Sequence, residues 1–219
     1  MADWLNKTFY TIDYKMARLF HLLESKGGSF TTNIMKFVSV LGKSGIVILL
    51  IALILCIFPK TRRMGVCVIL SVAISALITS IIIKPIVARA RPYDSGGDFY
   101  NWWVNAGKSL EDSYSFPSGH STASMAFAFS IFAFSKNKKI SWLIFFFPLF
   151  MIMSRIYLMV HYFSDCLFGL LVGEVCAFVA YFLTKLLFDK TKGKFHDFIN
   201  NFELKNLFHK QSNKKESME

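Results

Sequence analysis

Polar surface is what this sequence has little of. Charged residues make up 18% of its 219 positions, against 54% hydrophobic and 16% aromatic, with 24 phenylalanines and a mean hydropathy of +0.44. A soluble domain of this length is rarely so apolar, and stretches of about 20 apolar residues, enough to cross a bilayer core, recur along the chain. No linker separates a soluble core from an anchor, which excludes a two-domain reading. Cysteine is scarce: Cys56, Cys67, Cys166 and Cys176 lie in or beside apolar segments without metal-ligand spacing or a pairing pattern. They read as small packing residues, not as a metal centre or a disulfide framework. The basic, apolar and cleavage regions of a secretory signal are not expected at the N-terminus, where Asp3, Asn6, Lys7 and Asp13 interrupt them.

Acidic residues are outnumbered, 14 against 25 Lys and Arg, for a formal net charge of +11. Much of the excess sits in short runs beside apolar segments: Lys60, Arg62 and Arg63; Lys136, Lys138 and Lys139; Lys190, Lys192 and Lys194. Cations there set topology and meet anionic lipid. The charge therefore implies a bilayer as partner and no nucleic acid.

The fold class expected is all-α, a polytopic membrane bundle. Residues 4–24 are amphipathic, with Trp4, Leu5, Phe9, Ile12, Met16, Leu19, Phe20 and Leu23 near helical spacing, and predict a helix lying in the interface until Lys26-Gly27-Gly28-Ser29 ends it. Five spans follow, at about 34–58, 64–87, 118–134, 140–160 and 165–188. The chain thus divides into an N-terminal helix (1–30), a membrane domain (31–190) and a polar basic tail (191–219). Counting cations places the loops after spans one and three, and the tail, in the cytoplasm; Lys7, Lys15, Arg18 and Lys26 of the N-terminal segment run against that assignment.

Three polar clusters then share the outer side. Lys84 and Arg91 stand seven residues apart, two turns along one helix face, and can reach one anion, with Arg89 directed elsewhere and Pro92 as a helix stop. Pro117-Ser118-Gly119-His120 precedes an apolar helix: Ser118 caps it, Gly119 lets a ligand approach the backbone, and the first N–H groups suit phosphate. Arg155 offers a fork for phosphate, and His161 and Asp165 stand one turn apart, so the carboxylate can fix the imidazole tautomer where the helix is continuous. Singly, these are snorkelling cations, an ordinary cap and a structural His–Asp pair. Jointly, they are an inventory for holding phosphate at a membrane surface and attacking it with a histidine.

Lys84-x6-Arg91-Pro92, Pro117-Ser118-Gly119-His120 and Ser154-Arg155-x5-His161-x3-Asp165 resemble the complete three-part signature of the type 2 phosphatidic acid phosphatase family, over roughly residues 80–170 and in the family's order. The resemblance implies His161 as nucleophile forming a phosphohistidine, Asp165 orienting it, and His120 protonating the leaving oxygen and then activating water. It implies Lys84, Arg91, Ser118, Gly119 and Arg155 as phosphate-binding residues, and neither metal nor cofactor.

The expected activity is a metal-independent lipid phosphatase of the cell membrane with its site outside the cytoplasm. Outward orientation favours undecaprenyl diphosphate, converted to undecaprenyl phosphate. Alternatives are phosphatidylglycerophosphate or phosphatidic acid as substrate, a lipid phosphotransferase, and a catalytically silent lipid-binding or transport protein. The last predicts a damaged catalytic position, whereas His120, His161 and Asp165 are all in place. Phe99, Tyr100, Trp102 and Trp103 read as interfacial anchors, Gly169-x3-Gly173 as a close helix contact, and Glu174, inside a span, as a carboxylate with a structural partner in the bundle.

Overall fold

Hydropathy places the helices, and small residues decide how closely they pack. The computed structural model describes residues 1–42 and 45–190; the expected basic tail, 191–219, lies outside the described residues. Helix α1 (Ala2–Gly42) is followed by α2 (Ile46–Ile57) and α3 (Arg62–Ala76), which continues through a wider π-helical segment (Leu77–Ile83) into α4 (Lys84–Val87). Then come α5 (Gly97–Asn105), α6 (Gly119–Phe134), α7 (Lys138–Ser141), α8 (Phe146–Tyr157) and α9 (Phe163–Lys190).

Three stretches are long and apolar enough to cross a membrane, Arg62–Ser95, Lys138–Tyr157 and Phe163–Lys190, and α1 with α2 makes a fourth if that pair, bent by 52°, is one span. Span one, expected as one helix from 34 to 58, is thus divided between the end of α1 and α2. Helix α6, expected as a span, has only 16 residues, about 24 Å of rise. It is enclosed by α3, α8 and α9.

Lipid supplies no hydrophobic drive for helices to associate, so close packing and hydrogen bonds must do it. The α3–α6–α9 contact is accordingly built from small residues: Cys67, Ser71, Ser124, Ala126, Ala128, Ser130, Gly169, Gly173, Cys176, Ala177 and Ala180 are all buried. Ser130 Oγ donates to Ser71 Oγ at 3.0 Å. A Cβ on Gly173 would lie 2.3 Å from the carbonyl oxygen of Thr122, and one on Gly169 would lie 2.7 Å from that of Ser118. The close contact expected of this glycine pair is therefore real, and it presses α9 onto the start of α6. Leu171, Val175, Phe178, Phe182 and Leu186 form the exposed apolar stripe of α9, suited to hydrocarbon. Glu174 is exposed beside that stripe, and among the described residues no hydrogen bond or ion pair reaches it. The structural partner expected for it is absent there.

The expected break at Gly27-Gly28 appears as a kink, Gly28 having φ 52° and ψ −141°. Beyond it α1 continues along α8: Thr32 Oγ1 bonds Tyr157 Oη at 2.7 Å, and Ser154 Oγ donates to Met35 O at 2.7 Å. Before it, α1 buries Leu5, Asp13, Ala17 and Phe20 on one face. That face meets α5, of whose four aromatics Tyr100 stays 46% exposed while others pack inward. Phe99 and Trp103 are buried with Ala17 and Tyr162, and Trp102 stacks on His21 at 5.1 Å. Arg63 and Asp189 pair at 2.8 Å between the start of α3 and the end of α9, so the polar clusters gather at the opposite end of the bundle.

Candidate active site

Lys84 opens α4 as the π segment ends. The helix does not carry it to Arg91 in two further turns, as the spacing suggested. Ala88 adopts a left-handed conformation (φ 49°), closing α4 after Val87, and Arg91 is extended. The two cations converge because the loop before α6 gathers both. Lys84 Nζ donates to Ser113 Oγ and to Tyr114 O, each at 2.7 Å. Arg91 Nε donates to Ser113 O at 2.7 Å and its Nη1 to Val160 O at 2.6 Å.

Ser118 caps α6, accepting from the Ser121 N–H at 3.4 Å, and its own N–H donates to Asp165 O at 3.0 Å. Space is open around Gly119, where an added Cβ would meet nothing within 4 Å. Helix-opening N–H groups thus face a cavity through a residue with no side chain.

Arg155 ends α8 as a buried fork. Nη1 donates to Ser39 Oγ, Nη2 pairs with the Glu111 carboxylate, and Nε is buried with no partner among the described residues. The chain then turns through Met159 (φ 53°) and α9 opens only at Phe163, so His161 and Asp165 do not share a continuous helix. His161 lies in the turn between α8 and α9, and its Nδ1 is 3.7 Å from Asp165 Oδ2, too far for a hydrogen bond. Ser115 fills the gap: its hydroxyl donates to Asp165 Oδ2 at 2.5 Å, and Oγ lies 3.4 Å from His161 Nδ1. With the hydroxyl proton committed to the carboxylate, Oγ is left to accept from Nδ1–H. That selects the tautomer whose Nε2 is unprotonated and accepts from Arg91 Nη1. Nε2 lies 3.3 Å from Arg91 Nη1.

Arg89 faces away from the anion cavity, as expected. Its position is nonetheless central. Nη1 meets Asp165 Oδ1 at 2.5 Å and Ser164 Oγ at 2.8 Å, and Nη2 meets Asp13 Oδ2 at 2.9 Å. Its guanidinium carbon stands 3.9 Å from the centre of the Tyr162 ring. Asp165 is therefore held from both sides, by Arg89 behind and Ser115 in front.

Lys84, Arg91, Gly119, His120 and His161 line one cavity of about 290 Å³, with Glu111 and Ser113 beside them. The three sequence clusters thus meet in space. Burial, and then the charges of Arg91 and Arg155, hold His161 well below the usual imidazole range, so the ring is neutral at physiological pH. Burial pushes the Glu111 carboxyl up, but Arg155 and His120 outweigh it and hold the group at about 2. No cluster of three or more His, Cys, Asp or Glu suited to a metal ion occurs among the described residues.

Sequence reading missed Glu111, Ser113, Ser115, Asp13 and the role of Arg89. Asp13 carried a usable signal: it occupies the buried stripe of α1 with Leu5, Ala17 and Phe20, where an unpaired carboxylate is costly. The loop residues carried none, since their contacts depend on how the loop folds over the cations.

A lipid A 4'-phosphatase of Porphyromonas gingivalis is 32% identical over 114 residues, 52% of this chain and 48% of that protein. The chain thus spans about half the length of this curated relative. Among solved structures, the phosphatidylglycerolphosphate phosphatase of Bacillus subtilis, a transmembrane PAP2-type protein, matches at TM-score 0.64 and 24% identity, over 88% of this chain and 92% of that one. LpxE of Aquifex aeolicus matches at 0.57 and 22%, over 74% and 92%. At these identities the two structures show the shared fold alone. The PAP2 superfamily model matches residues 64–188, more than half of the 219, and takes in Lys84, Arg91, the Ser118–His120 turn, Arg155, His161 and Asp165: the chain belongs to the PAP2 superfamily.

Proposed function

We propose that the protein is a membrane lipid phosphatase working through a phosphohistidine. The observation that carries this reading is the environment of His161. Nδ1 is engaged by Ser115, Nε2 lies 3.3 Å from Arg91 Nη1, and the ring lines a cavity shared with Lys84, Arg91 and His120. Nε2 attacks phosphorus as the bond to the leaving oxygen breaks, and His120 gives that oxygen a proton. In the second step His120 takes a proton from water, which attacks the phosphohistidine and releases inorganic phosphate and the free imidazole. Lys84, Arg91, Arg155 and the N–H groups around Ser118 and Gly119 receive the developing charge on the phosphoryl oxygens.

The basic runs flanking the spans support a cell-membrane protein whose site opens outside the cytoplasm, with the lipid tail remaining in the bilayer. Outward orientation favours undecaprenyl diphosphate as substrate. The Porphyromonas gingivalis and Bacillus subtilis relatives are named for releasing phosphate from lipid A and from phosphatidylglycerolphosphate, and favour a phosphate monoester. Phosphate release by purified protein in detergent, from all three lipids, is the test. His161→Ala is expected to lose release from every substrate while unfolding at the wild-type temperature; near-normal turnover by that variant overturns the mechanism.

A further inference from the structure

His120 borders two cavities, and the chemistry proposed above uses only one. The second, of about 440 Å³, lies between α1 at Lys36 and Ser39, the loop at Glu111 and Asp112, and Arg155. The Glu111–Arg155 ion pair stands at the boundary, with Glu111 lining both cavities. An entering and a leaving group lie roughly in line across a transferred phosphoryl group. His161 belongs to the first cavity only, and His120, which protonates the leaving oxygen, sits on the partition. The breaking bond therefore points from the first cavity into the second.

The two spaces carry different charge. Around the first, Lys84 and Arg91 stand against Glu111, leaving one positive charge for the phosphoryl group. Around the second, Lys36 and Arg155 stand against Glu111 and Asp112, leaving none. Its polar groups suit hydroxyls and carbonyls, and its edge carries Val40 and Leu110, exposed by 57% and 74%, where a lipid tail can pass into the bilayer. A diphosphate would place its second anionic group in a space where Lys36 and Arg155 are already offset by the Glu111 and Asp112 carboxylates. Resting on the phosphatase reading and its roles for the two histidines, we propose that this second cavity is the leaving-group subsite. It takes a neutral lipid alcohol, and Glu111 is a specificity-determining residue that favours lipid phosphate monoesters over lipid diphosphates.

Farnesyl monophosphate and farnesyl diphosphate share one tail and isolate this choice. Phosphate release by the purified protein in detergent is expected to favour the monophosphate by roughly tenfold or more in kcat/KM. Glu111→Gln removes a negative charge from the subsite and should narrow that ratio by about tenfold; Lys36→Met removes a positive one and should widen it. Each ratio is measured within one preparation, so loss of folded protein cancels, and a merely structural role would not move the two variants in opposite directions. Release from both substrates with the diphosphate equal or preferred, or with the variants shifting the ratio together or not at all, overturns the leaving-group inference alone. No release from either substrate by the wild type overturns the phosphatase reading and this inference with it.

Discussion

Ser115 turns a loose His161–Asp165 pair into a directed one. A 3.7 Å separation leaves the carboxylate unable to fix the imidazole tautomer by itself, whereas a hydroxyl between them accepts from one and donates to the other. A hydrogen bond to a charged partner contributes about 1.5–3 kcal/mol, so Ser115→Ala should lower kcat by about 10–100-fold. The side chains proposed to hold phosphate, Lys84, Arg91 and Arg155, are left in place, so KM and inhibition by inorganic phosphate should change little; an unchanged kcat would remove Ser115 from the mechanism. The sequence announces His161 and Asp165 through residue type and spacing, but a serine 46 positions away in a loop has no periodicity to betray it. Its contact exists only once α9 seats Ser118 against Asp165.

That seating is a property of elements. The hydrophobic runs located the helices closely, since 3.6-residue geometry and bilayer thickness leave few alternatives. They did not locate where helices stop: Ala88 and Met159 take left-handed conformations without the glycine that usually marks them. The expectation that Lys84 and Arg91 share a helix failed at the first, and the expected helical continuity of His161 and Asp165 failed at a turn containing the second. Two glycines show how element packing and site chemistry separate. Gly173→Ala forces a Cβ against the rigid Thr122 carbonyl and should cost about 1–3 kcal/mol by overpacking, visible as a lower unfolding temperature in detergent. Gly119→Ala fills open space at a helical position, where alanine is favoured by about 0.5–1 kcal/mol. It should keep that temperature while losing phosphate release, because the methyl group projects beside the N–H groups offered to phosphate. If both variants lose stability, or both keep activity, the division between packing and site fails.

At the scale of the whole molecule, the N-terminal helix belongs to the site. Its amphipathic pattern was legible as an interfacial helix, yet the buried Asp13 on its inner face needs partners brought from elsewhere, and a cation is among them. Arg89 supplies it while holding Asp165, so Asp13 and Asp165 from the two ends of the fold share one guanidinium, each side chain about 1% exposed or less. Asn6 Oδ1 accepts from the same group at 2.8 Å, and Tyr14 donates to Asp98 at 2.6 Å across to α5. Removing one partner of a buried ion pair costs about 3–5 kcal/mol because the other is left uncompensated; Arg89→Met strands two carboxylates at once. It should lower the unfolding temperature strongly and abolish activity, since Asp165 loses its rear support. Asp13→Asn keeps an acceptor for the Ser164 N–H and leaves Arg89 neutralised by Asp165. It should therefore cost much less stability and lower kcat only in part. Activity and unfolding temperature measured on both variants separate two pictures. If the helix is an independent anchor, Asp13→Asn is silent in kcat and Arg89→Met is merely unstable; if the helix completes the site, both variants lose turnover, in the order of the charge each one strands.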